Sequence, residues 1–351
     1  MRRTAYMLWL MATLLLLSAA LSGCAFISSG VIKENAGEER LPAIDPQAGV
    51  ARDIKVKLYY RLTDEAYLVG VTGAVTVLSN ERPEKAIIRA LIDGTPPLSN
   101  NISPVFPEGT DVVDVTLDGA ILYVTLSEAF FDASLVNEAV SDGTRLLESN
   151  LIGKTEYDQR VAAAREEMYL KRKLAIYSMA NTITEYESGV RIQFLFQIGE
   201  NTVRVSRAEL GLESYADAES DLLEPIGAED SLLVNPQIIV ECALNRISRG
   251  EYQKAYDLFA ETESGGVQKP DYANFEMGLS QAGSVAAFTV KGYTLSEDKS
   301  YAYVTVDLLY RIGEDGRERR QRNLTLMLKS EGSIYKLGYQ SLISVFGGNT
   351  P

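Results

Sequence analysis

The chain has 351 residues, 46% hydrophobic and 23% charged, the balance of a globular protein long enough for two domains with separate cores. Its net charge is −14, and −16 once Arg2 and Arg3 leave with the leader described below, which argues against nucleic acid as a partner because phosphate backbones would repel such a surface. It contains no histidine, so Ser-His-Asp and Cys-His nucleophile systems and His-ligated zinc are excluded.

The first elements concern location. Arg2 and Arg3 precede an apolar run from Ala5 to Ala20, which is short for a membrane span and ends in small residues, the pattern of a cleaved signal peptide. Leu21-Ser22-Gly23-Cys24 resembles the bacterial lipobox. That resemblance implies cleavage after residue 23, lipidation at Cys24, and a mature protein held to the cell membrane on its extracytoplasmic side. Residues 24–53 carry Ser-Ser-Gly, scattered charges, Pro42 and Pro46, and are expected to form a tether. With Cys24 acylated, Cys242 has no partner in the chain and is expected to be a buried thiol on an apolar helix face.

The stretch 54–210 is expected to be the first folded domain. Ile54, Val56, Leu58 and Tyr60 alternate on one face of a strand, and an apolar run from Tyr67 to Leu78 gives a second. Pro83 opens a helix through Ala86, Ile87, Ala90 and Leu91, stopped by Asp93-Gly94. A long loop follows to Pro107-Glu108-Gly109-Thr110. Strands Val112–Leu117 and Ala120–Leu126 flank Asp118-Gly119, a hairpin turn in which both positions need positive φ. A helix is then expected from about Tyr157 to Glu187, and a strand from Val190 to Ile198. The order β, β, α, β, β, α, β is an α+β plan.

These residues resemble the GerMN domain of bacterial sporulation and germination lipoproteins. The likeness is carried by Tyr59-Tyr60, by Ala86 through Gly94, by Pro107 through Thr110, by the hairpin Asp118 through Phe130, and by Tyr177, Thr182, Thr184, Gly189-Val190 and Gln193-Phe194-Leu195. It implies a sheet-and-helix module akin to the ring-building domains of envelope assemblies, which binds proteins and is not a catalyst. The chain departs from the family between Phe131 and Ala175, where an insertion carries Arg160, Arg165, Glu166, Glu167, Lys171, Arg172 and Lys173. This stretch reads either as a solvated extension of the last helix or as a contact arm.

Residues 211–231 are acidic, with Asp217, Glu219, Asp221 and Glu224, and are expected to be a linker. A second domain is expected over 232–347. Ile239, Cys242, Ala243 and Ile247 have helical spacing after Pro236; Gly250 stops that helix, and Tyr252 to Phe259 starts another. Strands follow at Ala286–Thr294, Tyr301–Ile312, around Leu324 to Leu328, and at Ile334–Leu337, with turns at Asp315-Gly316 and Glu331-Gly332. Helices followed by a curved antiparallel sheet, the run Asn245 to Phe259, and the ending Gly332 to Tyr339 with Ser333-Ile334-Tyr335-Lys336-Leu337-Gly338 between resemble the nuclear transport factor 2-like fold. That likeness implies a cone with one open cavity. Tyr256, Phe259, Tyr303, Tyr310 and Tyr335 are either its lining or simply core. Arg317, Arg319, Arg320 and Arg322 either meet an anionic partner, such as a teichoic-acid phosphate or lipid head group, or keep a sheet edge from aggregating.

No phosphate loop, HExxH, CxxC or calcium loop is present, so no cofactor, metal ligand or catalytic residue is nominated. The pairs Asp111 with Asp114 and Glu128 with Asp132 sit on turns. The leading expectation is a non-enzymatic, lipid-anchored scaffold docking envelope proteins, in sporulation or germination if the resemblance extends that far. Two alternatives stand beside it: a binding protein for a small molecule or cell-wall fragment using the C-terminal cavity, and a carboxylate-dependent peptidoglycan hydrolase.

Overall fold

In the computed structural model, the described residues are 51–94, 98–213, 221–312 and 317–347. The leader, Cys24, most of the tether and the Asp315-Gly316 turn lie outside them. Strand β1 (Arg52–Leu62) alternates at its start, with Val56 buried between exposed Lys55 and half-buried Lys57. From Leu58 onward both faces are covered, which plain alternation did not foresee. The reason is a helix lying across the strand: the Tyr59 amide donates to Thr182 Oγ1 at 3.1 Å, and Ser178 Oγ donates to the Tyr59 carbonyl. Strand β1 is central in a three-stranded sheet between β2 (Leu68–Val77) and β3 (Ile102–Ser103). Helix α1 (Pro83–Ile92) starts at Pro83, buries Ala86, Ile87, Ile88 and Leu91, and is followed by Gly94 at φ 71°.

A second sheet has the order β4-β5-β6-β7, formed by β4 (Val112–Asp118), β5 (Ile121–Ser127), β6 (Arg191–Ile198) and β7 (Asn201–Val203). Because Asp118 pairs with Ile121, the hairpin loop is Gly119-Ala120, one residue later than the sequence suggests. Gly119 has φ 57° and Asp118 and Ala120 do not have positive φ, so one left-handed position suffices, as in type II′ turns. Strands β5 and β6 run parallel, which demands a long crossover. Two helices supply it: α2 (Ser134–Glu148) and α3 (Lys154–Tyr186, 33 residues). The second extends earlier than the expected Tyr157, and the first was not expected at all. Phe194 and Phe196 of β6 are buried with Phe130, Leu174, Ile176, Met179 and Ile183.

The acidic stretch is not open chain where it is described. Leu223 N donates to the Val205 carbonyl at 3.0 Å, Ile192 and Ile226 exchange backbone hydrogen bonds at 2.7 and 2.9 Å, and Leu223 is buried. Its apolar residues hold it to the domain, with Glu224 exposed and Asp221 half-buried.

The C-terminal part begins with α4 (Pro236–Ser248), capped by Asn235 Oδ1 accepting from Ile238 N at 3.0 Å and stopped before Gly250 at φ 74°. Next come α5 (Tyr252–Tyr256) and α6 (Tyr272–Ala282). A curved antiparallel sheet of order β11-β10-β9-β8 follows, with β8 (Ser284–Leu295), β9 (Tyr301–Ile312), β10 (Arg317–Glu331) and β11 (Ile334–Leu337), and helix α7 (Tyr339–Gly347) closes it. The molecule is therefore α+β throughout. Ala302, Val304, Val306, Leu308 and Tyr310 of β9 are buried on the inner face with α4 and α7; Tyr303 and Asp307 belong to the outer face. Arg246 of α4 is buried and fastens that helix to the β1–β2 turn, donating to Glu65 Oε1 at 2.8 Å, the Thr63 carbonyl at 2.7 Å and the Lys254 carbonyl at 2.7 Å.

Candidate functional site

Two clefts bring charged side chains together. The larger, about 560 Å³, lies between the Pro104–Glu108 loop, the start of α2 and the middle of α3. Its wall includes Arg172, which is 8% exposed. That guanidinium donates to the Phe131 carbonyl at 2.8 Å and the Glu209 carbonyl at 3.1 Å, and stacks 5.1 Å from the Phe131 ring centroid. Burial pulls its pKa below the usual arginine value. These contacts join the Phe131 and Glu209 segments to α3, and Glu108, Asp132 and Glu138 give the rim a negative balance against Lys171 and Arg172.

The second cleft, about 390 Å³, opens on the outer face of the C-terminal sheet. Its lining includes Phe288, Lys291, Asp307, Leu309, Arg320, Arg322 and Asn323. Lys291 Nζ stands 2.7 Å from Asp307 Oδ1 and 2.7 Å from Asn323 Oδ1, while Asn323 N donates to Asp307 Oδ1 at 2.8 Å. The Lys291 ammonium and then the Asn323 amide hold the Asp307 carboxyl below its ordinary pKa. Asp307 is therefore an outward, neutralised anion and not an acid inside a cone.

The register explains how these groups meet. On β8, Val290 pairs with Val306 and Gly292 with Thr305, leaving Lys291 as the extra residue of a bulge. On β10, Gln321 pairs with Leu308 and Leu324 with Val306, so the Arg322-Asn323 pair contains a second extra residue. Asn323 takes φ 53°, a left-handed conformation that asparagine tolerates better than most residues. The two bulges flank β9 one residue apart, that of β10 opposite Asp307 and that of β8 between Val306 and Thr305.

The four arginines nominated from sequence separate. Arg319 pairs with Tyr310 and Arg317 with Ile312, whereas Arg320 pairs with Leu309 and joins Arg322 in the outer cleft. Neighbouring Glu318 pairs with Arg311 at 3.2 Å. Lys291 and Asn323 were not nominated, since no sequence pattern marks a lone lysine or asparagine within strands as neighbours.

The five aromatics do not surround one cavity. Phe259 and Tyr310 are fully buried. Phe259 packs 4.8 Å from Phe275; Tyr256 lies 5.0 Å from Phe275 and donates to the Pro270 carbonyl at 2.9 Å. Tyr310 stands edge-on to Phe346 at 5.2 Å. Tyr303 is 39% exposed on the opposite face, and Tyr335 lines a separate recess of about 240 Å³ with Tyr293 and Leu295. The physical reason is α7: Leu342 and Phe346 fill the inner face that an open cone would leave empty.

Cys242 is buried on α4, and desolvation pushes its thiol up to about 12, so it is held as an unreactive apolar group. Three of the four carboxylates are engaged locally, Asp111 accepting from Val112 N, Asp114 from Thr116 and Asp132 from Ser134 N, while Glu128 accepts from the distant Gly199 N in the β6–β7 turn.

Comparison with known proteins adds a family likeness over part of the chain. No curated protein matches the chain. Among solved structures it is similar to the tandem GerMN domains of the sporulation protein GerM from Bacillus subtilis, at 14% identity and a TM-score of 0.27, over 78% of this chain and 62% of that one. This chain thus spans less than two thirds of that relative's length. Residues 57–151 match the Germane family model, described as sporulation and spore germination. The matched span runs through α2, the first half of the stretch read from sequence as an insertion. The segment 57–151 is thus similar to Germane-type, sporulation and spore germination domains.

Proposed function

We propose that this protein is a non-catalytic lipoprotein, anchored through Cys24 outside the cell membrane, that acts as a docking scaffold for envelope proteins during sporulation or germination. The observation that carries the reading is the Germane match over a domain from which a helical hairpin stands out. Within that hairpin α2 buries only Gly143, and α3 from Lys154 to Lys171 has no buried residue. A surface of that kind suits contact with partners, while the lipid sets location and the tether sets reach. Paired weak contacts then gain from effective concentration.

Two measurements test it. Metabolic labelling with a fatty-acid probe is expected to mark the wild type and not Cys24→Ala; an unmarked wild type that fractionates with the cytosol ends the envelope reading. In intact cells, a photo-crosslinker at Leu151 or Arg160 is expected to capture envelope proteins, and one at Ser284 on the C-terminal sheet is not. Equal capture from both places would remove the hairpin from the docking role.

A further inference from the structure

We propose that the outer cleft between the two bulges is a binding site for a phosphate ester. A β-bulge turns a side chain away from where regular alternation would place it, and the β8 and β10 bulges do this at neighbouring positions of β9. On β10 the extra residue lets Arg322 and Asn323 both line the cleft while returning Leu324 to the side of Val306. On β8 it places Lys291 in the same outer cleft, over Asp307 and Asn323. Curving the sheet needs the bulges, and position 323 a residue that tolerates positive φ, but neither requires Lys291 or Arg322.

The chemistry of the lining names the ligand class. Asp307 is already satisfied by Lys291 and by the Asn323 amide, so it orients the ammonium and leaves the two arginines to face solvent. Among the described residues Arg320 makes no ion pair. Three cations and one carboxylate leave two positive charges in the cleft, within a chain whose overall charge is −14. Guanidinium groups present forked donors that fit the oxygens of a phosphate better than a single carboxylate needs. Phe288 and Leu309 add apolar lining, and a volume of about 390 Å³ leaves room for an organic group attached to the phosphate. A phosphorylated small molecule and a phospholipid head group share this chemistry.

The test uses the full-length chain in non-ionic micelles, each variant held well below its own melting temperature. Calorimetric titration with sn-glycerol 3-phosphate is compared with titration using micelles doped with phosphatidylglycerol or, as neutral control, phosphatidylcholine. Arg320→Gln and Arg322→Gln are each expected to weaken binding about tenfold, the loss of one charge-assisted contact, with affinity falling as salt rises. Arg319→Gln, one position away on the other face of the same strand, is expected to leave binding unchanged. Heat with the soluble ester supports the site with a free phosphate ester as its source; heat with phosphatidylglycerol alone, with the same variant pattern, supports it with a head group as its source. Binding of neither probe, or equal weakening by Arg319→Gln, overturns the proposal.

Discussion

The two halves of α3 belong to one continuous helix and are held by different physics. From Arg172 to Ile183 nearly every residue is buried under β1 and β6, and the backbone of β1 is hydrogen-bonded to its side chains. From Lys154 to Lys171 no residue is buried, and the helix is supported by α2, by ion pairs on its own surface and, near its junction with the core, by Glu167 accepting from Arg61 of β1. A helix of 33 residues is about 50 Å long, more than one small domain can cover. The comparison teaches that the arm is extended by helical hydrogen bonding and one neighbouring helix, while burial in the core fixes where it starts.

The sharpest way to test that contrast is to remove core from one half. Ile176→Ala is expected to cost roughly 2–5 kcal/mol, through lost burial and the cavity left under β6, and to lower the melting temperature of the whole protein. A loss below about 1 kcal/mol would mean that this half is not the anchor. The arm has its own tight contact. A methyl at Gly143 would sit 2.8 Å from the Tyr157 ring, so the close approach of α2 to α3 depends on glycine there. Gly143→Ala gains helix propensity but overpacks the seam, with an expected net cost of about 1 kcal/mol. Amide exchange should quicken in α2 and in the first turns of α3, with the global melt unmoved. A global loss as large as that of Ile176→Ala would erase the distinction between the halves.

The same contrast explains what was legible in the sequence. Elements that bury one face announced themselves by period: β1, α1, the β4–β5 hairpin, α4 and β9 were placed from alternation or helical spacing and their turn residues. Helix α2 was missed because Ser141-Asp142-Gly143 interrupts it with poor helix formers, and the partner that makes Gly143 acceptable is Tyr157, fourteen residues on. Helices α6 and α7 were missed as well, and without α7 the aromatic residues looked free to line a cavity. The outer cleft was half legible. Arg320 and Arg322 were visible as charge, but Lys291 and Asn323 become their neighbours only through strand register, and two bulges alter that register in ways that composition does not record.

Further along the arm the effects shrink. The pairs Lys154–Asp158 and Arg160–Glu156 are i, i+4 contacts with exposed partners. Glu156→Gln is expected to cost only about 0.3–0.5 kcal/mol, and less in high salt. Exchange rates in the first turn of α3, measured with and without added salt, would show it. A larger, salt-independent loss would place a hidden packing role at that position.

The smallest expected effect lies at another uncovered place, the β8–β9 turn, where polar groups act without burial. Asp298 Oδ1 accepts from Ser296 Oγ at 2.6 Å and from Ser300 N at 3.0 Å, and Oδ2 accepts from Ser300 Oγ at 2.5 Å. The two serine hydroxyls and the Ser300 amide hold its carboxyl down at about 2. A depressed pKa means that the ionised form is the one the turn prefers. Its contribution is therefore complete above the unfolded carboxylate value near 4 and is lost as pH falls towards 2. Since the group is solvent-exposed, the loss is expected in the turn and not in the global melt. Carbon-detected NMR should place the Asp298 midpoint near 2, with Ser300 amide protection fading over the same range, and Asp298→Asn should lack that protection already at neutral pH. A midpoint near the ordinary carboxylate value would mean that the serines do not hold the turn, and that hydrogen bonding on an uncovered loop contributes nothing measurable.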